Sequence, residues 1–206
     1  MASTWSPEFH HQDLEIMEAK PMYTGYCSVI RYQMRFRLFE GGNSHTVYRE
    51  CLIRPPAVAV VLYDREADKV VMIEQLRAGL LQAKESPWML EIVAGVIDEG
   101  ETPIEAAHRE AKEEAGCDIV LLEPVCSYLT SPGISNEIIH IYCGLIKAPE
   151  TGRLHGIAED GEDIKIHVFT AEETFALVKE GKIMSSPALI ALQWLELNHA
   201  SLRLSR

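Results

Sequence analysis

Long hydrophobic runs are missing from this sequence: nothing approaches the ~18 consecutive apolar residues that a membrane-spanning helix needs. The opening Met1-Ala2-Ser3-Thr4-Trp5-Ser6-Pro7 also lacks the basic-then-apolar pattern of a secretory signal. Together these absences predict a soluble, cytoplasmic protein with no membrane partner. Positive charge is scarce: 19 Lys and Arg stand against 31 Asp and Glu, for a formal charge of -12, and no basic patch is segregated from the acids. Such a chain repels a phosphate backbone, so nucleic acid is excluded as a partner. Cysteine is sparse and unpatterned. Cys27, Cys51, Cys117, Cys126 and Cys143 show neither C-x-x-C nor a Cys/His zinc spacing, and the expectation is buried free thiols. No repeat or low-complexity tract occurs.

What is present is a core-forming chain. Its 206 residues are 47% hydrophobic and 24% charged, enough for one large domain or two small ones. The acidic balance still permits an anionic substrate, provided divalent cations bridge carboxylates to phosphates.

From Val29 to Phe39, Ile30, Tyr32, Met34, Phe36 and Leu38 alternate with Arg31, Gln33, Arg35 and Arg37, which predicts a strand with one buried face. Glu40 to Ser44 is a turn, Thr46 to Ile53 returns as a second strand, and Pro55-Pro56 ends it. Residues 1 to 54 are therefore expected to form a small antiparallel β lobe, and residues 55 to 206 the main domain. In that domain Ala57 to Tyr63, Val70 to Ile73, Trp88 to Ala94, Glu137 to Ile146 and Ile164 to Phe169 read as strands. Thr102 to Ala115, Ala171 to Glu180 and Pro187 to His199 read as helices. The first helix opens on Thr102-Pro103-Ile104-Glu105, an N-cap, a first-position proline and a capping-box glutamate, and stops at Gly116. Strands and helices are mixed without βαβ alternation, so the fold class is α+β.

That first helix carries the chemistry. Ile104, Ala107, Ala111 and Ala115 form a narrow apolar stripe, small enough to let the helix sit close on a sheet. On the other side Glu110, Glu113 and Glu114 crowd the last two turns, where like charges repel and the helix dipole favours cations. A solvated acidic face is the bland explanation. The alternative is that divalent cations held by the carboxylates offset the loss, with Arg109 as an internal partner for Glu113 or the preceding loop acids.

The surrounding spacing decides between them. Gly95, five residues, Glu101, seven residues, then Arg109-Glu110-Ala111-Lys112-Glu113-Glu114-Ala115-Gly116-Cys117 is similar to the Nudix box, G-x5-E-x7-R-E-U-x-E-E-x-G-U. Seven fixed positions at a usage of ~7% each coincide by chance on the order of once in 10⁸ windows. The resemblance to the Nudix hydrolase family implies a Nudix-type α/β/α sandwich. It also implies that Glu110, Glu114 and the Ala94 carbonyl are metal ligands, that Glu113 supports them, that Arg109 orients a glutamate and that Glu101 braces the loop from Gly95 to Gly100. The implied cofactor is Mg²⁺, with Mn²⁺ a possible substitute. None of the eight histidines has metal-ligand spacing near this helix, and none is given a catalytic role.

Pro132, sixteen residues past Gly116 in Ser131-Pro132-Gly133-Ile134-Ser135-Asn136-Glu137, looks like the downstream signature of the bacterial ADP-ribose pyrophosphatase subfamily. The segments His155 to Ile164 and Ile190 to Leu195 resemble the same group. In the family, a loop at the place of Glu159 to Asp163 brings in a general base and a further metal ligand when substrate binds. Glu162 matches the ligand. The base position falls on Asp160, where relatives carry glutamate, so the order of candidates is Asp160, Glu159, Glu162. Arg49 and Arg77 match nucleotide-contacting positions, Tyr26 offers a face to adenine and Glu137 would bind the terminal ribose. The resemblance further implies a homodimer that exchanges its N-terminal lobe. The expected activity is hydrolysis of ADP-ribose to AMP and ribose 5-phosphate. Alternatives are a pyrophosphatase acting on another nucleoside diphosphate sugar or a dinucleotide, and a sensor that binds ADP-ribose without cutting it.

Overall fold

The computed structural model describes residues 5–157 and 161–204. The chain divides into two compact units: residues up to Arg54 together with Leu129–Glu137, and Pro55–Tyr128 together with the chain from Ile138 onward.

The first unit is built on an antiparallel sheet in the order β1-β2-β3, with β1 at Leu14–Thr24, β2 at Ser28–Phe36 and β3 at Val47–Ile53. Sequence pattern foresaw β2 and β3 but not β1. That edge strand is almost wholly exposed, contains Pro21, and breaks register between Ile16 and Glu18 and between Pro21 and Tyr23. No alternation survives those breaks, and proline is tolerated there because an edge strand need not donate on its outer side. The lobe is thus three-stranded where two strands were expected. Leu129–Glu137 joins it through the Leu52 amide, which donates to the Ile134 carbonyl at 2.7 Å, and the Arg54 amide, which donates to Asn136 Oδ1 at 2.8 Å.

The second unit contains β4 (Ala57–Asp64), β5 (Lys69–Leu76), β6 (Trp88–Glu91), β7 (Val93–Val96), α1 (Pro103–Ala115), β8 (Leu121–Leu129), β9 (Ile138–Leu145), β10 (Leu154–His155), β11 (Ile164–Thr170), α2 (Ala171–Lys179) and α3 (Ser186–Leu204). The sheet runs β10-β11-β5-β4-β9-β8, with β6 on β5 and β7 on β4. β4 and β9 are parallel, whereas β4–β5, β4–β7, β5–β6, β5–β11 and β10–β11 are antiparallel, so the α+β class holds.

Every residue of β4 is buried, and its two faces pack on different helices. Ala59, Val61 and Tyr63 pack with Phe175, Ala188, Ala191, Leu192 and Leu195 of α2 and α3. Val60 and Leu62 pack with Ala107, Ala111 and Ala115 of α1. Period-two side chains on one strand thereby produce the α/β/α sandwich. Each buried Val or Leu contributes roughly 1.5–3 kcal/mol.

The expected single strand Trp88 to Ala94 is two strands, and the reason positions the site. β4 and β5 pair only where Leu62–Asp64 meets Lys69–Val71, and then part. Beyond the parting β5 takes β6 as its neighbour from Ile73 to Leu76, while β4 takes β7 from Ala57 to Val60. Buried Ile92 turns the chain from one arm of the fork to the other. Helix α1 lies over β7, capped at its start by the Thr102 side chain, which accepts from the Glu105 amide, and at its end by left-handed Gly116. Contact with the sheet begins at Ala106 and Ala107. Ile104, expected in the stripe, is 55% exposed one turn too early.

The thiols also depart from expectation: all five are free, but only Cys117 and Cys143 are buried and Cys126 is exposed. The last helix continues past His199 to Leu204. Asp68, in the left-handed turn between β4 and β5, holds its end: Asp68 Oδ1 lies 2.6 Å from His199 Nε2, and Oδ2 accepts from Arg203 Nη1 at 3.3 Å.

The alanine stripe yields a test. Ala111 is 0% exposed between α1 and β4, so Ala111→Leu should cost about 1–3 kcal/mol by overpacking. Thermal unfolding should show Tm falling by several degrees, together with weaker metal response, because Glu110 sits on the adjacent position. An unchanged Tm would show that the helix has room to spare.

Candidate functional site

Three segments of the second unit meet at the C-terminal half of α1: strand β7 with the loop behind it, the helix, and the hairpin arm from β10. Gly95 is the contact between the first two. A Cβ there would run into the Glu110 carboxylate, so only glycine lets the helix acid lie against the strand.

Arg109 is the organising cation. Its Nε donates to Glu101 Oε1 at 2.9 Å, its Nη2 to Glu101 Oε2 and to the Val96 carbonyl, both at 2.9 Å, and its Nη1 to Glu110 Oε1 at 2.6 Å and Glu113 Oε2 at 3.1 Å. A planar fork with five N–H donors suits this division of labour. Glu101 completes the brace by accepting from the Asp98 amide at 3.1 Å. Hydrogen bonding to Arg109 holds the Glu101 carboxyl below its ordinary pKa and, with the bonds to Glu110 and Glu113, raises the guanidinium further.

Two of the three helix acids, Glu110 and Glu114, are buried. Glu110 is 8% exposed and Glu114 4%. Burial raises the Glu110 pKa, and the bond and charge of Arg109 only partly reverse this. Glu114 is in a harsher position. Its Oε2 accepts from the Ala94 amide at 2.8 Å, and Gln75 Nε2 approaches Oε1 at 3.5 Å. Burial, and then the charges of Glu110 and Glu162, outweigh that amide and the more distant Arg77, so Glu114 is pushed up to about 8. The bland solvated face is therefore not what the helix presents at these positions. Glu113 alone keeps substantial exposure, 35% of its side chain.

Glu162 stands close enough for its charge to raise both Glu110 and Glu114. Its Oε2 accepts from the Ile157 amide at 3.2 Å. Asp160 and Glu159 lie outside the described residues. Among the described residues no three His, Cys, Asp or Glu side chains are gathered into a ready-made metal cage. The donor set nevertheless fits a hard divalent cation: clustered carboxylate oxygens, two of them on buried groups whose negative charge lacks full compensation.

The four expected substrate contacts separate between the units. Arg77 belongs to the second, where its Nε pairs with Glu91 Oε2 at 2.6 Å. Glu91 is 8% exposed and, like Gln75, was not singled out by sequence reasoning. A lone acid in an apolar strand reads as its solvent edge, and only the fork between β5 and β4 shows otherwise. Tyr26, Arg49 and Glu137 belong to the first unit. Tyr26 is 91% exposed and lies under the Arg54 guanidinium at 5.8 Å, and Arg54 Nε donates to Glu137 Oε1 at 3.1 Å. Arg54, hidden in sequence beside the proline pair, thus joins two of the expected residues. Arg49, in the exposed stretch of β3, donates from Nη1 to the Tyr48 carbonyl at 2.9 Å and lines a shallow concavity with Arg31, Gly133 and Ile134.

Residues 53–199 match the model of the NUDIX domain. The chain is 42% identical over 195 residues to an ADP-ribose pyrophosphatase of Escherichia coli strain K12, covering 95% of this chain and 93% of that protein. It is 41% identical over 200 residues to an ADP-ribose pyrophosphatase of Haemophilus influenzae, covering 96% and 92%. Among solved structures, one described as an ADP compounds hydrolase superposes with a TM-score of 0.70 at 20% identity, covering 93% of this chain and 97% of that one, which shows a shared fold.

The raised Glu114 makes a prediction with a definite sign. Between its ordinary value of 4.5 and about 8 the folded chain binds a proton that the unfolded chain has lost. Metal-free stability should therefore fall as pH rises through that window. Glu114→Gln, which keeps the shape without the charge, should unfold at a higher temperature than wild type at pH 8.5 and at nearly the same temperature at pH 4.5. Mg²⁺ should raise the wild-type Tm more at pH 8.5 than at pH 6 and barely move the variant. Parallel Tm-against-pH curves for the two proteins would contradict the assignment.

Proposed function

The chain belongs to the NUDIX family and is a hydrolase, and from that premise we propose that it cleaves the diphosphate of ADP-ribose, giving AMP and ribose 5-phosphate. The observation that carries the reading is the pair of buried, undercompensated carboxylates, Glu110 and Glu114, at the end of α1 beside β7. The names of the two bacterial relatives support the choice of substrate.

Glu110, Glu114, Glu162 and the Ala94 carbonyl would hold Mg²⁺, with Mn²⁺ able to stand in. Bound there, the cation supplies neutralisation of the diphosphate oxygens and a polarised water. The remaining work falls to the chain. Arg109 keeps Glu110 and Glu113 in register with the Gly95 to Glu101 loop, so the acids need not reorganise when substrate arrives. A carboxylate of the acidic loop, Asp160 first, then Glu159, then Glu162, accepts the proton of the attacking water as the bridging P–O bond breaks. Arg77, oriented by Glu91, offers its remaining guanidinium donors to an anionic oxygen. Tyr26 stacks the adenine, Arg49 meets the nucleotide and Glu137 binds the terminal ribose. Those three residues lie in the N-terminal lobe or its added segment, and we assign the lobe to a homodimer in which two copies exchange it. The exposed Ile16, Met17, Met22 and Tyr23 of β1 give such a partner apolar surface to cover.

Product release should be measured with ADP-ribose, GDP-mannose, other nucleoside diphosphate sugars and dinucleotides at fixed Mg²⁺. ADP-ribose should give the highest kcat/KM, and Glu110→Gln and Glu114→Gln should each lower kcat by at least about 100-fold, more than loss of an outer-shell partner costs. A different nucleotide sugar in first place would overturn the substrate. A calorimetric binding isotherm for ADP-ribose with no turnover would replace the enzyme with a sensor.

A further inference from the structure

Gln75 is buried, 6% exposed, although its strand reaches the surface one residue later at Leu76. Burying a carboxamide costs free energy unless its polar ends find partners, so its place needs a reason. On β5, Val71 and Ile73 pack against the alanines of α1, and Gln75 is the next residue on that face. There it meets Glu114, with Gln75 Nε2 at 3.5 Å from Glu114 Oε1. The carboxylate fixes which way the amide points, because only its NH2 end can donate.

The other carboxylate oxygen is held from the opposite arm of the fork. Glu114 Oε2 accepts at 2.8 Å from the amide of Ala94 on β7, the strand that pairs with β4. Gln75 stands on β5, where the neighbour is β6 and the facing residue Met89. Each arm therefore supplies one neutral donor, one to each oxygen. The short bond commits Oε2, and the long one leaves Oε1 free to turn its lone pairs to a cation. Neutrality matters at this position. A lysine or arginine at 75 would cancel the negative charge that a divalent cation is to meet, and an apolar side chain would leave Oε1 with no donor.

Gln75 is also two residues from Arg77, and the backbone between them stays extended, with Arg77 at φ -121 and ψ 114. The Arg77 amide donates to the Pro87 carbonyl at 2.7 Å, one step beyond the Leu76–Trp88 pair. Period two thus puts the Gln75 and Arg77 side chains on one face. Arg77 Nε is in turn anchored to Glu91 Oε2 at 2.6 Å. One strand holds a helix acid through its amide and aims a cation through its guanidinium.

We propose that Gln75 is a positioning residue that, together with the Ala94 amide, clamps the Glu114 carboxylate across the two arms of the fork and so sets the metal-holding acid in register with Arg77. Gln75 touches no reacting atom in this scheme. The inference rests on the reading of Glu114 as a metal ligand and of Arg77 as an anion contact.

The test uses the full chain, wild type against Gln75→Met, Gln75→Asn, Glu91→Gln and Glu114→Gln. Mn²⁺ binding is followed without nucleotide by loss of the free-ion EPR signal, and kcat and KM for ADP-ribose are measured at saturating Mg²⁺. Gln75→Met keeps an unbranched side chain of similar length and removes the donor. It should weaken Mn²⁺ binding about tenfold, the scale of an outer-shell loss, and lower kcat with KM nearly unchanged. Gln75→Asn keeps an amide but withdraws it by one methylene; it should weaken Mn²⁺ binding as well, which keeps the test alive should the methionine variant fold poorly. Glu91→Gln, which loosens Arg77 alone, should do the reverse, raising KM about tenfold with nucleotide-free Mn²⁺ affinity unchanged. Wild-type Mn²⁺ affinity in both Gln75 variants, beside a strong loss in Glu114→Gln, would overturn the clamp alone. Equal losses of Mn²⁺ affinity in Gln75→Met and Glu91→Gln would also overturn it, since that is what general distortion of the arm produces. Wild-type Mn²⁺ affinity in Glu114→Gln would overturn the ligand assignment and the clamp with it. Should ADP-ribose go uncut by wild type, the substrate falls and the Mn²⁺ comparison still decides the clamp.

Discussion

Two carboxylates are buried between a helix and a sheet with the Arg109 guanidinium, the Ala94 amide and a long approach from Gln75 to answer them, and the rest of the molecule is arranged around that imbalance. The Glu110 and Glu114 positions demand a helix that sits close to β7, and closeness demands alanine at 106, 107, 111 and 115 and glycine at 95. They demand an internal cation that does not consume all the negative charge, which Arg109 provides by dividing itself among three glutamates. They also gain from a forked sheet, because its two arms carry Glu91, which pairs with Arg77, and Ala94, whose amide meets Glu114.

Much of this was readable from residue order. The cap at Thr102, the glycine stop at 116 and the alternation in β2 are local signals, set by neighbours within a few positions, and patterns of that range located all three α-helices and most of the strands. The Nudix box is likewise local, so the crowding of its acids could be read from spacing alone. What escaped was set by distant partners. β1 has no alternation because an exposed edge strand has no inside, β8 is mostly exposed, and β10 is two residues long. Gln75, Glu91 and Arg54 became visible only once the fold gave them neighbours. Ile104 had the right spacing and the wrong height along the helix.

The electrostatics follow the same division. Spacing shows that Glu110, Glu113 and Glu114 are crowded, yet it treats them alike. Packing distinguishes them: Glu113 keeps solvent as well as Arg109, Glu110 keeps Arg109, and Glu114 keeps neither and is pushed up to about 8. A shift of that kind is one that an added positive charge would reverse.

Arg109 also has a consequence for which changes this centre tolerates. Its guanidinium bridges a loop acid, a strand carbonyl and two helix acids at once. A lysine carries the same charge on a single nitrogen and cannot reach in those directions together. Replacing one by the other would leave the net charge untouched and still unrivet three pieces of backbone, so at this position shape matters more than valence.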